Sequence, residues 1–241
     1  MTGSSVGESG ERPVPGRGVL EGAFALLEAV EAAEEAGLTA LAARSGLPKA
    51  TAYRLLEQLA ELGAVERRGV HYRMGRRMFR LGSGWQPHPG LRAAAGGPLR
   101  RLAAVTGATA GICVLGEGRT LAVMGVSGMV DHLAPVQPGV SWPWTTAAGK
   151  ALVATAPARI PWGPLPRSWR REASRIRESG VALDREDLIP GVCCAAVPVT
   201  ATGGETVAAL CAMVGPSQDL RRLAQAVTRA GRAVSAGLRG M

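Results

Sequence analysis

Gly46-Leu47-Pro48-Lys49-Ala50-Thr51-Ala52-Tyr53-Arg54-Leu55-Leu56 is the stretch on which the reading of this 241-residue chain turns. Pro48 has the fixed φ that suits the first turn of a helix, and Ser45-Gly46 breaks whatever precedes it. From Pro48 to Leu62 the apolar positions Ala52, Leu55, Leu56, Leu59 and Leu62 fall at helical spacing and make one buried face. Lys49, Ala50, Tyr53 and Arg54 lie on the other side, near the amino-terminal end. Upstream, Thr39 is placed to cap a short helix over residues 40–44. A longer amphipathic helix is expected from Val19 to Glu34, with Leu20, Phe24, Leu27 and Val30 on its stripe, Ala23 and Leu26 beside them, and Gly37 after its end. Downstream, Gly63 stops the central helix, and residues 64–68 and 70–74 read as two short strands turned at Gly69.

Three helices followed by a basic hairpin predict a winged helix-turn-helix. A helix narrow enough for the major groove must be buttressed by a crossing helix, and Ala42, Ala43 and Gly46 are small enough to let the two approach. Lys49, Ala50, Thr51, Tyr53 and Arg54 are then expected to face phosphates and base edges, with Arg67 and Arg68 reaching the DNA backbone from the wing. Charge placement agrees. The net charge of +9 is carried by 26 Arg and two Lys, a bias that reflects genome composition as much as any partner. Its distribution is more informative: residues 44–80 hold nine bases against three acids, whereas residues 19–43 hold five Glu and no base.

The same residues resemble the DNA-binding domain of IclR-type bacterial transcription regulators, and the likeness extends through Leu62-Gly63-Ala64-Val65, Tyr72-Arg73-Met74-Gly75 and Leu81-Gly82. Further along, Trp144-Thr145-Thr146-Ala147-Ala148-Gly149-Lys150-Ala151 is similar to that family's H-A-T-A-L-G-K-A segment. Gly191-Val192-Cys193-Cys194-Ala195-Ala196-Val197-Pro198-Val199 is similar to its G-V-x-C-I-A-A-P-V strand. The likeness covers about residues 18–240. It implies an α+β protein, an amino-terminal winged helix-turn-helix joined to a GAF-like sensor domain built on an antiparallel sheet. It also implies a regulator that binds a pseudo-palindromic operator in double-stranded DNA as a homodimer or tetramer, and takes a small-molecule effector. The family's usual Ser stands at Ala50 here, which removes one DNA contact.

Residues 1–17 are too polar to order and are expected to form a tail, 18–82 the DNA-binding domain, 83–95 a linker, and 96–241 the sensor and oligomerisation domain. In the last of these, 99–105, 146–154 and 167–178 suit helices, as does the stripe Leu220, Leu223, Val227, Ala230, Val234 and Leu238. Residues 110–114, 120–126, 192–199 and 206–214 suit strands of an antiparallel sheet.

Gly149-Lys150 is no phosphate-binding loop, because Trp144 stands where such a loop requires glycine. Two readings stay open: a helix start whose free N–H groups face a cavity and anchor a carboxylate, or a plain helix start with Lys150 solvated or salt-bridged. The resemblance places an effector pocket at Trp144, Ala147, Ala148, Asp184, Cys194 and the last strand, where Ala212 and Val214 stand in place of two family serines. That exchange, with Trp142 nearby and a shortened stretch over 154–175, implies a larger, apolar or aromatic effector rather than a small charged acid, or a sensor domain that only dimerises. Cys194 reads as a packed core residue or as a redox sensor. No cofactor and no metal site are expected, since the four Cys and three His lack ligand spacing. No nucleophile and base are spaced for catalysis. Without an apolar signal core or membrane-length run, the protein is expected in the cytoplasm.

Overall fold

The computed structural model describes residues 18–116, 118–155 and 165–240; the expected tail at 1–17 lies outside them. The chain divides into two compact units, Met1–Trp85 and Gln86–Met241.

The first unit runs α1 (Val19–Ala33), β1 (Glu35–Gly37), α2 (Leu38–Ser45), α3 (Lys49–Glu61), β2 (Val65–Arg68), β3 (His71–Met74) and α4 (Arg76–Ser83). Its core is Leu26, Val30, Leu41, Leu56 and Val65, all but sealed from solvent, with Tyr72 beneath the wing. Gly46 caps α2 in the left-handed region (φ 66°), which glycine reaches without a Cβ penalty and which turns the chain into α3. Thr39 is not the cap of α2; Gly37 holds that position, and the helix starts earlier than expected. Sheet order is β1-β3-β2, so the hairpin gains a third strand that pairs Glu35 with Arg73 and Gly37 with His71.

The expected stripe on α1 is also rotated. Leu26, Leu27, Ala29 and Val30 face inward with Gly22, against which Leu55 and Leu47 pack closely. Leu20 and Phe24 stay 77% and 62% exposed. α3 approaches α1 where Gly22 leaves room for Leu55, which fixes this face inward.

The second unit holds α5 (Leu91–Thr106), β4 (Thr109–Gly116), β5 (Arg119–Val126), β6 (Ser141–Pro143), α6 (Ala147–Thr155), α7 (Trp169–Ser179), β7 (Ala182–Arg185), β8 (Cys193–Thr200), β9 (Thr206–Val214) and α8 (Leu220–Arg239). The linker expected over 83–95 is shorter: α5 already begins at Leu91, and Leu91 and Ala95 are fully buried. Gly96-Gly97-Pro98 hides this helix in the sequence, but α5 carries Pro98 in its interior because packing against α8 outweighs the lost hydrogen bond.

The six strands form one antiparallel sheet of order β6-β5-β4-β9-β8-β7. One face packs on α5 and α8 through Leu99, Ile112, Leu210, Val227 and Val234. The other packs on α6, α7 and the 127–146 segment through Cys113, Ala147, Leu152, Trp169 and Cys211. Asp219 starts α8 by accepting the N–H groups of Arg221 and Arg222 at 2.8 and 3.3 Å.

Candidate functional site

In the first unit α3 presents Lys49, Ala50, Tyr53 and Arg54 to solvent, with Thr51 half-buried, while Ala52, Leu55, Leu56 and Leu59 hold its other face in the core. The candidate DNA-reading residues therefore share one surface.

The wing is built by its own electrostatics. Arg73 reaches Glu66 across β2 and β3 at 2.6 Å, and that guanidinium first of all holds the Glu66 carboxyl below the usual carboxylate range. Tyr72 donates its hydroxyl to Glu57 of α3 at 3.1 Å, and burial, ahead of that bond, pushes the phenol pKa up. The two candidate wing arginines then separate. Arg67 bonds Glu57 at 3.4 Å and the Gly69 carbonyl at 3.0 Å, and its guanidinium lies 5.9 Å over the Tyr72 ring. It clamps wing to helix. Arg68 is exposed and makes no hydrogen bond or ion pair with the other described residues. Arg76, Arg77 and Arg80 on α4 add exposed charge that the sequence reading counted without giving it a place.

In the second unit a cavity opens on the α6 face of the sheet. Its walls include Cys113, Thr120, Trp142, Thr146, Ala147, Ala148, Asp184, Cys194, Cys211 and Met213. Ala147, Ala148, Asp184 and Cys194 thus come together as expected.

Three residues do not. Ala212 and Val214 point to the α5 and α8 face, in the cluster with Leu210, because alternate residues of a strand face opposite sides of the sheet. The β9 residues at the cavity are Cys211 and Met213, so losing serines at 212 and 214 says nothing about the ligand. Trp144 is also off the wall: its ring sits edge-on to Trp169 at 5.0 Å, and Trp142 lines the cavity instead.

The α6 start is tightly made. Gly149 lies so near the Trp144 backbone that a Cβ would collide with it. Its N–H donates to Thr146 Oγ1 at 3.2 Å, and Lys150 N–H to the Thr146 carbonyl at 2.8 Å. The N–H groups of Ala147 and Ala148 open the helix and have no acceptor inside it.

Lys150 follows the salt-bridged reading, with Nζ 3.0 Å from Glu172 and 3.5 Å from Asp187. Burial presses its ammonium toward neutrality, but Glu172, Asp187 and Asp184 outweigh that and hold its pKa above the ordinary lysine value. Asp184 is 5% exposed. Its Oδ1 accepts the Asp187 N–H at 3.0 Å, yet burial wins and its pKa lies above the usual aspartate value. The hydroxyls of Thr120 and Thr146 are committed to the Trp142 and Pro143 carbonyls, both at 3.2 Å. The cavity therefore offers one adaptable carboxyl and two helix-start donors in an otherwise apolar, sulfur-rich wall. No group of His, Cys, Asp and Glu among the described residues is arranged to hold a metal ion.

Comparison with known proteins agrees with both halves. Residues 19–69 match the model of the IclR helix-turn-helix domain, and residues 166–236 that of the bacterial transcriptional regulator IclR C-terminal domain. The chain is 29% identical over 243 residues to the HTH-type transcriptional regulator BhcR of Paracoccus denitrificans, covering 91% of this chain and 86% of that one. To the HTH-type transcriptional regulator KdgR of Escherichia coli it is 27% identical over 205 residues, 78% of each chain. Solved structures share the fold. An IclR homolog of Microbacterium hydrocarbonoxydans in complex with 4-hydroxybenzoate has a TM-score of 0.83 at 20% identity, covering 93% of this chain and 100% of that one. The IclR of Thermotoga maritima has 0.68 at 21%, covering 91% and 98%. With the winged helix matched by the IclR helix-turn-helix model and the sheet domain by the IclR C-terminal model, in that order, the chain belongs to the IclR family of bacterial transcriptional regulators.

Proposed function

We propose that this regulator reads a pseudo-palindromic operator through Lys49, Thr51, Tyr53, Arg54 and Arg68 and is controlled by a small, mostly apolar aromatic acid bound in the α6-side cavity. The cavity carries the reading. Its volume is only about 50 Å³. A single water needs about 10–15 Å³ by the same measure, so the space suits a few waters or one ring, less than the larger effector expected from sequence. A carboxylate would find the N–H groups of Ala147 and Ala148, and a phenol would find Asp184, while the rest of the wall excludes a small, highly charged acid. A neighbour of the same fold was solved with 4-hydroxybenzoate, which has this chemistry.

Two half-sites multiply affinity and specificity, so the active species is a homodimer or a tetramer of such dimers. Val19, Leu20 and Phe24 leave an exposed apolar patch on α1 that a second copy would cover. No helix among the described residues is long and apolar enough to cross a membrane, and a DNA-reading role puts the protein in the cytoplasm.

Calorimetric titration of the full chain with 4-hydroxybenzoate and with pyruvate tests the effector. Binding of the aromatic acid, lost in Ala148→Phe, is expected. Tight binding of pyruvate with none of the aromatic acid would overturn the reading.

A further inference from the structure

All four cysteines are free and buried, but they lie in two different places. Cys193 packs on the α5 and α8 face, whereas Cys113, Cys194 and Cys211 are all in the cavity wall. We propose that Cys211, seated between Cys113 and Cys194, is a covalent capture site for a small soft electrophile of the quinone or enone class. The inference rests on the cavity admitting small aromatic molecules, as the function proposed above also requires.

The strand register builds the trio. On β4, Gly111 is opposite Cys211 and Cys113 is two residues along. On β8, Ala196 is opposite Cys211 and Cys194 is two residues along in turn. The central strand thus has a thiol diagonally placed on each neighbour, and the Sγ atoms of Cys113 and Cys211 are 3.9 Å apart.

Two other fates for such thiols fit poorly. Diagonal positions on antiparallel strands are about 7–8 Å apart at Cα. A disulfide spans at most about 7 Å, so closing one here would require the sheet to move. Metal capture lacks a suitable group of ligands among the described residues.

What remains is addition by a single activated thiol. The trio shares its S–H protons, with either sulfur able to donate across the 3.9 Å Cys113–Cys211 contact; that sharing pulls the Cys211 pKa below the ordinary thiol value and, with burial, pushes those of Cys113 and Cys194 up. The middle thiol, with another on each side, is thereby set apart from its neighbours as the nucleophile of the three.

The addition balances without an oxidant. The Cys211 sulfur forms a bond to the β-carbon of the unsaturated carbonyl, and the C=C pair moves onto the carbonyl oxygen. The proton that the thiol gave up ends on that oxygen. A quinone then tautomerises to its hydroquinone thioether, and nothing leaves. Asp184, held protonatable by burial, lines the same cavity and can relay the proton. Ala134, Val136 and Val192 around the thiols favour an uncharged ring over a charged alkylating agent.

The test is intact-mass and peptide mapping of the full-length chain after brief exposure to equimolar 1,4-benzoquinone, with iodoacetate as the charged comparison. One quinone per chain on Cys211 is expected. It should be retained in Cys193→Ser, lost in Cys211→Ser and Cys211→Ala, and not matched by iodoacetate. If both Cys211 variants fail to fold, the wild-type map decides by itself. An adduct on Cys193, labelling only after denaturant, or a loss of two protons in place of a mass gain would each overturn the proposal. A thermal shift with 4-hydroxybenzoate but no adduct would refute the capture site alone; an adduct without that shift would support it and refute the aromatic-acid reading.

Discussion

Replacing Lys150 by Met removes the charge that joins α6 to Glu172 of α7 and to Asp187 of the segment after β7, while keeping most of the chain's packing volume. Removing one member of a fully buried pair costs about 3–5 kcal/mol, whereas an exposed pair is worth about 0–1 kcal/mol. The Lys150 side chain is 12% exposed against 28% for Glu172 and 59% for Asp187, so both carboxylates regain water when it goes. The loss therefore falls between the limits, at about 2 kcal/mol. At about 2–4 °C per kcal/mol for domains of this size, Lys150→Met should melt about 4–8 °C below the wild type in scanning calorimetry. Lys150→Met/Glu172→Leu should recover much of that, because no unpaired carboxylate then remains against α6. The pH sign follows from a lysine pKa raised in the folded state: the contribution is complete below the unfolded lysine value and disappears as pH rises through the folded one. An unchanged midpoint in the single variant, or simple additivity in the double, would refute this role of the Lys150 ion pairs.

Arg54→Ala and Lys49→Ala should weaken DNA binding in gel-shift titrations with no change in melting, whereas Leu56→Ala, in a fully buried site, should cost about 2–5 kcal/mol by denaturant unfolding. Glu57→Ala strips the acceptor from the buried Tyr72 hydroxyl and should destabilise the chain by about 1–3 kcal/mol, with Glu57→Gln losing less because its carbonyl still accepts. Asp184→Asn should raise the melting midpoint at neutral pH. An acid whose pKa is raised on folding favours the fold at low pH, and that favour is lost as pH climbs from the unfolded to the folded value. The gain should therefore vanish on acidification below the ordinary aspartate pKa, and a lower midpoint at neutral pH would contradict it.

How much of this was legible depends on the length and one-sidedness of each element. The face of α3 and the strands β4, β5, β8 and β9 were readable because their apolar positions are regular and bounded by Gly or Pro. β1 and β6 have three residues each and pair at distance, with Arg73 and Trp142 among their partners' contacts or members, so no local pattern marks them. Helix α4, rich in Arg, buries no residue and leaves no stripe. The sidedness of β9 was the largest miss at the site. Every residue from Ala208 to Val214 is buried, so composition is the same on both faces, and only register against β4 and β8 sends Cys211 and Met213 to the cavity. The Arg67 clamp was equally invisible, since it depends on Glu57 across a turn of chain. By contrast Ala147, Ala148, Asp184 and Cys194 were placed through family resemblance, which carries the three-dimensional neighbourhood that spacing alone lacks.

Operator selection tests the central claim most directly. The full-length protein should enrich an inverted repeat from a pool of random duplexes, with an affinity whose logarithm falls linearly with the logarithm of salt, by about 0.9 per phosphate neutralised. Arg54→Ala should reduce that enrichment and Arg68→Ala should flatten the salt slope by about one such contact. No enriched sequence, or an affinity unchanged between low and physiological salt, would contradict DNA reading by this winged helix.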